Sequence, residues 1–274
     1  MTDWHVHIGQ YENVYYYADR VFSALKKSGV NELWFCSTTS CLYCKEAALL
    51  RVDAPTLQNA PSAKELFASV KKEISDALRA AKEIGVAAHA LYWVVPEIHF
   101  SNAASVSRAI KEIPYEGFKI HPLAQRWDLK DELTANLAET IFYCAEKNKM
   151  RVLIHCGPDA FMNPRLFEQF IARYPGAQVQ LAHCRPADDI IYMMQKYKNV
   201  SADTSMAGED DIEKIKAAGL EDRLLYGSDF PITHWRSEKP KSDPSKEEIE
   251  NFLLKNYFLA KKSLYYACGK KGAV

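Results

Sequence analysis

Short apolar runs alternate with amphipathic stretches along the chain. Residues 31–36 (Asn-Glu-Leu-Trp-Phe-Cys), 86–94, 117–121, 151–155, 177–183, 200–203 and 223–226 are compact apolar segments of strand length. Residues 3–9 (Asp-Trp-His-Val-His-Ile-Gly) add a first strand whose apolar and imidazole side chains alternate, which puts His5 and His7 on one face and Trp4 and Val6 on the other. Between these runs the apolar period lengthens. Residues 19–28 carry Val21, Phe22 and Leu25 on one helical face, and Ser62 with Glu65 forms a capping box before Leu66, Val70, Ile74, Ala77, Ala81 and Ile84. Further helices are read around 105–112, 136–147, 164–173, 187–197 and 209–218, and a last one opens with the capping box Ser245 and Glu248.

Eight strands alternating with about eight helices predict a parallel sheet, because each helix serves as a crossover. In this length the arithmetic is that of a single (β/α)8 TIM barrel covering residues 1–274 as one domain. A doubly wound sheet would carry a Gly-rich first turn, and His7-Ile8-Gly9-Gln10 is not one.

Composition narrows the partners. Lys+Arg and Asp+Glu balance at 35 each, so no basic field points to nucleic acid or an anionic membrane surface. No apolar run reaches the roughly 18 residues needed to cross a bilayer. The chain passes directly from Met1 into the histidine strand, which predicts no signal peptide and a cytoplasmic protein. Seven cysteines favour free thiols in a reducing compartment. The cluster Cys36, Cys41 and Cys44 has no second C-x-x-C to complete a structural zinc site, so pocket lining or packing is expected of it.

The chemistry gathers at the strand ends, where barrels of this kind place their active sites. These ends read His5-Val6-His7, Phe118-Lys119-Ile120-His121, Leu153-Ile154-His155-Cys156-Gly157, Leu181-Ala182-His183-Cys184, Ser201-Ala202-Asp203-Thr204 and Tyr226-Gly227-Ser228-Asp229-Phe230-Pro231. Taken singly, a histidine after an apolar strand is commonly a packed or capping residue; together these form a set with metal-site character. His89 reads as a core histidine, and His99 and His234 as loop residues, with His234-Trp235-Arg236 placed to wall a pocket.

The ordered set Asp-x-His-x-His-x-Gly, Gly-Phe-Lys-Ile-His-Pro, Leu-Ile-His-Cys-Gly, Leu-Ala-His-Cys and Tyr-Gly-Ser-Asp-Phe-Pro resembles the amidohydrolase superfamily. More narrowly, it resembles the amidohydrolase 2 branch, which includes the aminocarboxymuconate-semialdehyde and related aromatic-acid decarboxylases. The resemblance implies a metal held by His5, His7, His155 and Asp229, with His183 and Asp229 as catalytic groups. It leaves Lys119 two roles: a carbamylated bridge between two metals, or an unmodified cation for a substrate carboxylate. His121 and Arg236 are the other substrate-binding candidates. Three imidazoles and a carboxylate suit one Zn²⁺, with Mn²⁺, Fe²⁺ and Co²⁺ as alternatives.

The expected activity is hydrolysis of an amide, ester or lactone bond in a small polar or carboxylated molecule by a metal-activated water. Non-oxidative decarboxylation of a small unsaturated or aromatic acid is the alternative. A barrel that has lost catalysis and only binds is a third reading, set against the full ligand set. Relatives of this branch often form homodimers, which leaves assembly open.

Overall fold

The computed structural model describes residues 1–11, 14–43, 62–99, 104–125 and 127–232. Its strands are β1 (Thr2–Tyr11), β2 (Val14–Tyr16), β3 (Glu32–Ser37), β4 (Ala87–Trp93), β5 (Tyr115–Ile120), β6 (Arg151–Ile154), β7 (Gln178–Leu181), β8 (Val200–Asp203) and β9 (Leu224–Leu225). They lie in the order β2-β1-β3-β4-β5-β6-β7-β8-β9, all parallel except the β1–β2 hairpin. Behind β9 the chain returns to β1. Trp4 N donates to Tyr226 O at 2.9 Å, Asp229 N to His5 O at 2.8 Å and His7 N to Phe230 O at 2.8 Å, with a parallel bridge Val6–Phe230. These bonds bring the two ends of the sheet together as the expected (β/α)8 TIM barrel.

The helices are α1 (Ala18–Lys27), α2 (Ala63–Ile84), α3 (Pro96–His99), α4 (Ala104–Glu112), α5 (Glu132–Asn148), α6 (Glu168–Arg173), α7 (Ala187–Lys196) and α8 (Glu209–Ala217). The helical periodicity converts directly into packing. In α1, Val21, Phe22, Ala24 and Leu25 are buried, and Phe22 meets Phe35 of β3 edge-on at 5.2 Å. Burial of one such ring contributes roughly 1.5–3 kcal/mol. The expected capping box of α2 is formed: Glu65 N donates to Ser62 Oγ, and the Glu65 carboxylate accepts from Ser62 N.

Inside the barrel a smaller apolar layer of Cys36, Leu91, Trp93, Val95, Leu153 and Ala182 separates two polar ends. Toward the strand N-termini, Trp4 stacks on Trp34 at 5.4 Å and the Arg151 guanidinium lies over both rings.

Several expectations need correction. A ninth strand, β2, lies between the first strand and the first helix, where no element was expected; Val14 and Tyr16 turn inward, and the hairpin extends β1 past Gly9. Trp4 does not share the core of Val6, because the β1–β3 register shifts between Asp3 and Val6 and breaks the strict alternation. His89 is not a core histidine. It stacks on Trp34 and pairs with Glu32 and Glu116 at the open end of the sheet, its side chain 22% exposed. His99 closes α3 and is buried against Tyr92 OH at 2.8 Å. The 164–173 helix is split into a 3-10 turn (Pro164–Phe167) and α6. The last expected helix, His234, Trp235, Arg236 and Cys44 lie outside the described residues.

Candidate metal centre

Two glycines let the site assemble. Gly9 adopts φ +91°, and a Cβ there would stand 2.6 Å from Thr39 Oγ1 and 2.7 Å from a Glu73 carboxylate oxygen, so the exit of β1 folds tightly over its neighbours. At Gly227 a Cβ would lie 2.9 Å from the His5 Cβ and 3.1 Å from the Asp203 Cβ, so only glycine lets the chain after β9 approach these side chains. Asp3 then clasps the seam: its Oδ1 accepts from His5 N at 3.2 Å and from Ser228 N at 3.0 Å. Burial pushes the Asp3 carboxyl up to about 7, against the lowering effect of hydrogen bonds from Ser228 and His5.

The turn that follows places Asp229 at φ +53°, its carboxylate facing β1. Asp229 Oδ1 is 2.8 Å from His7 Nε2 and 3.4 Å from His5 Nε2, and donor atoms of the three residues lie within 4.8 Å of one another. A tetrahedral zinc with bonds of about 2.0–2.1 Å sets its donors roughly 3.3 Å apart, so the spacing fits such an ion. Burial opposes charge on Asp229, but charge on His5 and the hydrogen bond from His7 outweigh it and hold this carboxyl well below the usual range. Cys36 Sγ lies 3.3 Å from His7 Nδ1, on the side of the ring away from Asp229.

The remaining imidazoles form a chain along the rim. His183 sits at φ +73° in the 3-10 turn Ala182–Cys184 just past β7. Its Nδ1 faces the Ser205 carbonyl at 2.9 Å, so this nitrogen carries the proton. Its Nε2 is therefore a lone pair, and His155 Nδ1 donates to it across 3.0 Å. His155 stacks on His121 at 3.9 Å, and His121 stacks on Trp93 at 5.7 Å. His121 Nδ1 accepts from Ala124 N at 3.1 Å, which leaves its proton on Nε2. Burial lowers all three imidazoles: His183 falls to about 3, and His121 and His155 are held well below the usual imidazole range, with Lys119 and their imidazole neighbours adding to the effect. They are neutral at neutral pH.

His7, Lys119, His121, His155 and Asp229 line one cavity of about 40 Å³, together with Trp93, Tyr11, Thr38, Met206 and Ile232. Lys119 is almost wholly buried, its Nζ 3.0 Å from His5 Nε2. The structure thus gathers the residues expected at the strand ends. His155 lines the shared cavity but hydrogen-bonds His183 rather than joining the compact His5–His7–Asp229 group. Arg236 lies outside the described residues.

An amidohydrolase family model (the amidohydrolase-2 type) matches residues 46–256, well over half of the chain. This chain belongs to the amidohydrolase family. Members of this family are hydrolases and decarboxylases that generally bind a divalent metal. The match takes in Lys119, His121, His155, His183 and Asp229, while the His5–His7 pair precedes it. No curated protein matches the sequence. Among solved structures, a probable 2-pyrone-4,6-dicarboxylic acid hydrolase of Acinetobacter baumannii is similar in fold, with TM-score 0.55, 11% identity, and coverage of 97% of this chain and 98% of that one. The 5-carboxyvanillate decarboxylase of Sphingomonas paucimobilis is also similar, with TM-score 0.51, 12% identity, and coverage of 86% of this chain and 80% of that one. At such identities the likeness concerns the fold.

Sequence reasoning missed three residues of this amidohydrolase site. Asp203 was visible at a strand end, but its partners His5, Gln180 and His183 come from β1 and from β7 with the turn after it. Cys36 was read as lining or packing, and nothing near it in sequence names His7. Asp3 opens the His-x-His motif, yet its role depends on the seam with Ser228.

Proposed function

We propose that this amidohydrolase is a metal-dependent hydrolase of a small, polar, carboxylated molecule, cleaving an amide, ester or lactone bond. The observation that carries the reading is the convergence of His5, His7 and Asp229 beside a cavity also lined by Lys119 and His121. A divalent metal held by His5, His7 and Asp229, with His155 as the fourth ligand, would supply Lewis acidity toward a carbonyl and toward water. The imidazole-rich donor set favours Zn²⁺. One metal per chain leaves Lys119 unmodified.

The chain's own groups divide the remaining work. His183, its Nδ1–H held by the Ser205 carbonyl, accepts from His155 Nδ1 and so leaves the His155 Nε2 lone pair for the metal that would polarise the attacking water. Asp229 takes a proton from that water and passes it to the leaving group. The Lys119 ammonium pairs with the substrate carboxylate, and His121 donates Nε2–H to a second oxygen. Trp93 forms the apolar wall between them.

Lys119 could equally seat a carboxylate that departs as CO2, which is the specific support for the decarboxylase reading. No helix among the described residues is long and apolar enough to cross a membrane. The thiols of Cys36, Cys144, Cys156 and Cys184 are free and buried, which supports a cytoplasmic setting. The deciding experiment incubates zinc-loaded protein with a panel of carboxylated lactones, amides and esters, and separately with aromatic and unsaturated acids. Ring opening or acid release that is lost on chelation supports hydrolysis. Release of CO2 with no hydrolysis of the first panel would replace it with decarboxylation.

A further inference from the structure

Asp203, the last residue of β8, is fully buried and touches the His5 ring and the backbone N–H of His183. Its Oδ2 lies 3.2 Å from His5 Nδ1 and accepts from Gln180 Nε2 at 2.7 Å. Its Oδ1 accepts from Ser205 N at 3.1 Å, from His183 N at 3.3 Å and from the Ser205 hydroxyl. Ser205 Oγ also stands 3.1 Å from His5 Nδ1 and 2.9 Å from His183 Nδ1.

His5, His183 and Asp203 have donor atoms within 4.8 Å of one another, a spacing that could suit a second metal. The protons argue against it. Both oxygens of Asp203 already receive N–H or O–H donors, and His183 turns a protonated Nδ1 toward a carbonyl. A group whose lone pairs are engaged by donors is an anchor for ligands rather than a ligand itself.

We infer that Asp203 is a positioning residue that sets the tautomers of His5 and His183 at once. As an acceptor facing His5 Nδ1, it keeps the proton on that nitrogen and leaves the Nε2 lone pair aimed at Asp229 and the cavity. Through Ser205 it fixes the opposite face of His183, and by accepting from His183 N it holds the left-handed backbone of that residue in place. Gln180 steadies the arrangement from below, its amide also donating to Trp4 O at 3.1 Å and accepting from Arg151 at 3.4 Å. The alternative is that Asp203 merely balances the Arg151 charge deeper in the barrel. This inference rests on the reading of His5 as a ligand, but its first test does not.

In metal-free protein labelled with ¹⁵N-histidine, long-range ¹H–¹⁵N spectra report which ring nitrogen is protonated. The expected result is His5 and His183 both as Nδ1–H forms. Asp203→Asn places an amide among groups that are all donors, so His5 shifts toward the Nε2–H form, and zinc affinity by chelator competition falls about 10- to 100-fold. Ser205→Ala, which leaves the carboxylate, gives a smaller loss. His5 found as Nε2–H in the wild-type protein would overturn the inference without any variant. So would an Asp203→Asn protein with unchanged His5 shifts and wild-type zinc affinity. A wild-type chain that shows the expected tautomers but binds no zinc would overturn the proposed function and leave the positioning role of Asp203 standing.

Discussion

Lys119 Nζ and His5 Nε2 stand 3.0 Å apart, both almost fully buried. With the His5 proton on Nδ1, the Nε2 lone pair is the acceptor of this bond, and it is also the lone pair a metal would use. One lone pair serves one partner, so metal loading releases the ammonium into the cavity. Lys119→Met should then bind zinc at least as tightly as the wild type while the substrate KM rises about tenfold or more. If Lys119 were instead a carbamylated bridge, the wild type would hold two metals and Lys119→Met only one. Metal-to-protein ratios by elemental analysis separate the two.

His5→Ala and Asp229→Asn should each lower bound metal from about one equivalent to a small fraction, with far-ultraviolet circular dichroism unchanged. Each change removes one of three donors crowded within 4.8 Å. Wild-type metal content in both variants would displace the centre from this site.

Gly9→Ala forces a Cβ into a left-handed φ and against Thr39 and the buried Glu73 carboxylate. Glu73 is held there by Ser37 and Thr39 hydroxyls. The substitution should cost about 1–3 kcal/mol in urea denaturation, and it should perturb the cavity lining at Tyr11 and Thr38. A stability within about 0.5 kcal/mol of wild type would show that this turn relaxes freely.

Burial lowers the His99 imidazole to about 4. Between pH 4 and 6.5 the unfolded chain binds this proton and the folded chain does not. The stabilisation is therefore complete above about pH 6.5 and lost as pH falls toward 4, by up to roughly 3 kcal/mol. His99→Gln should flatten that part of the stability–pH curve, followed by chemical denaturation at a series of pH values.

How legible this was from sequence depends on how local each signal is. The α2 capping box lies within four residues, and it formed as read. Each His or Asp at a strand end was visible because an apolar run announces its own end. The departures arose where a distant segment decides. Nothing within 3–9 signals the register shift between Asp3 and Val6, because the partner strand imposes it. His89 lost its core assignment to Glu32 and Glu116, which come from neighbouring strands. The β2 hairpin did carry a local signal, alternating Val14 and Tyr16 against Tyr15, but three residues were too few to separate it from a loop.

The seam between β1 and the segment after β9 carries a further consequence. His5 and His7 lie on one side of it and Asp229 on the other, so any ion shared among them crosslinks the first strand to the last. Binding then tightens the junction that closes the barrel, and the linkage runs in both directions. The amide protons of Trp4, His7 and Asp229, which bridge that junction, become its strain gauges. Their exchange with solvent should slow on metal loading more than that of amides in the opposite wall, at β5–β6, making barrel closure itself a quantity that metal availability controls.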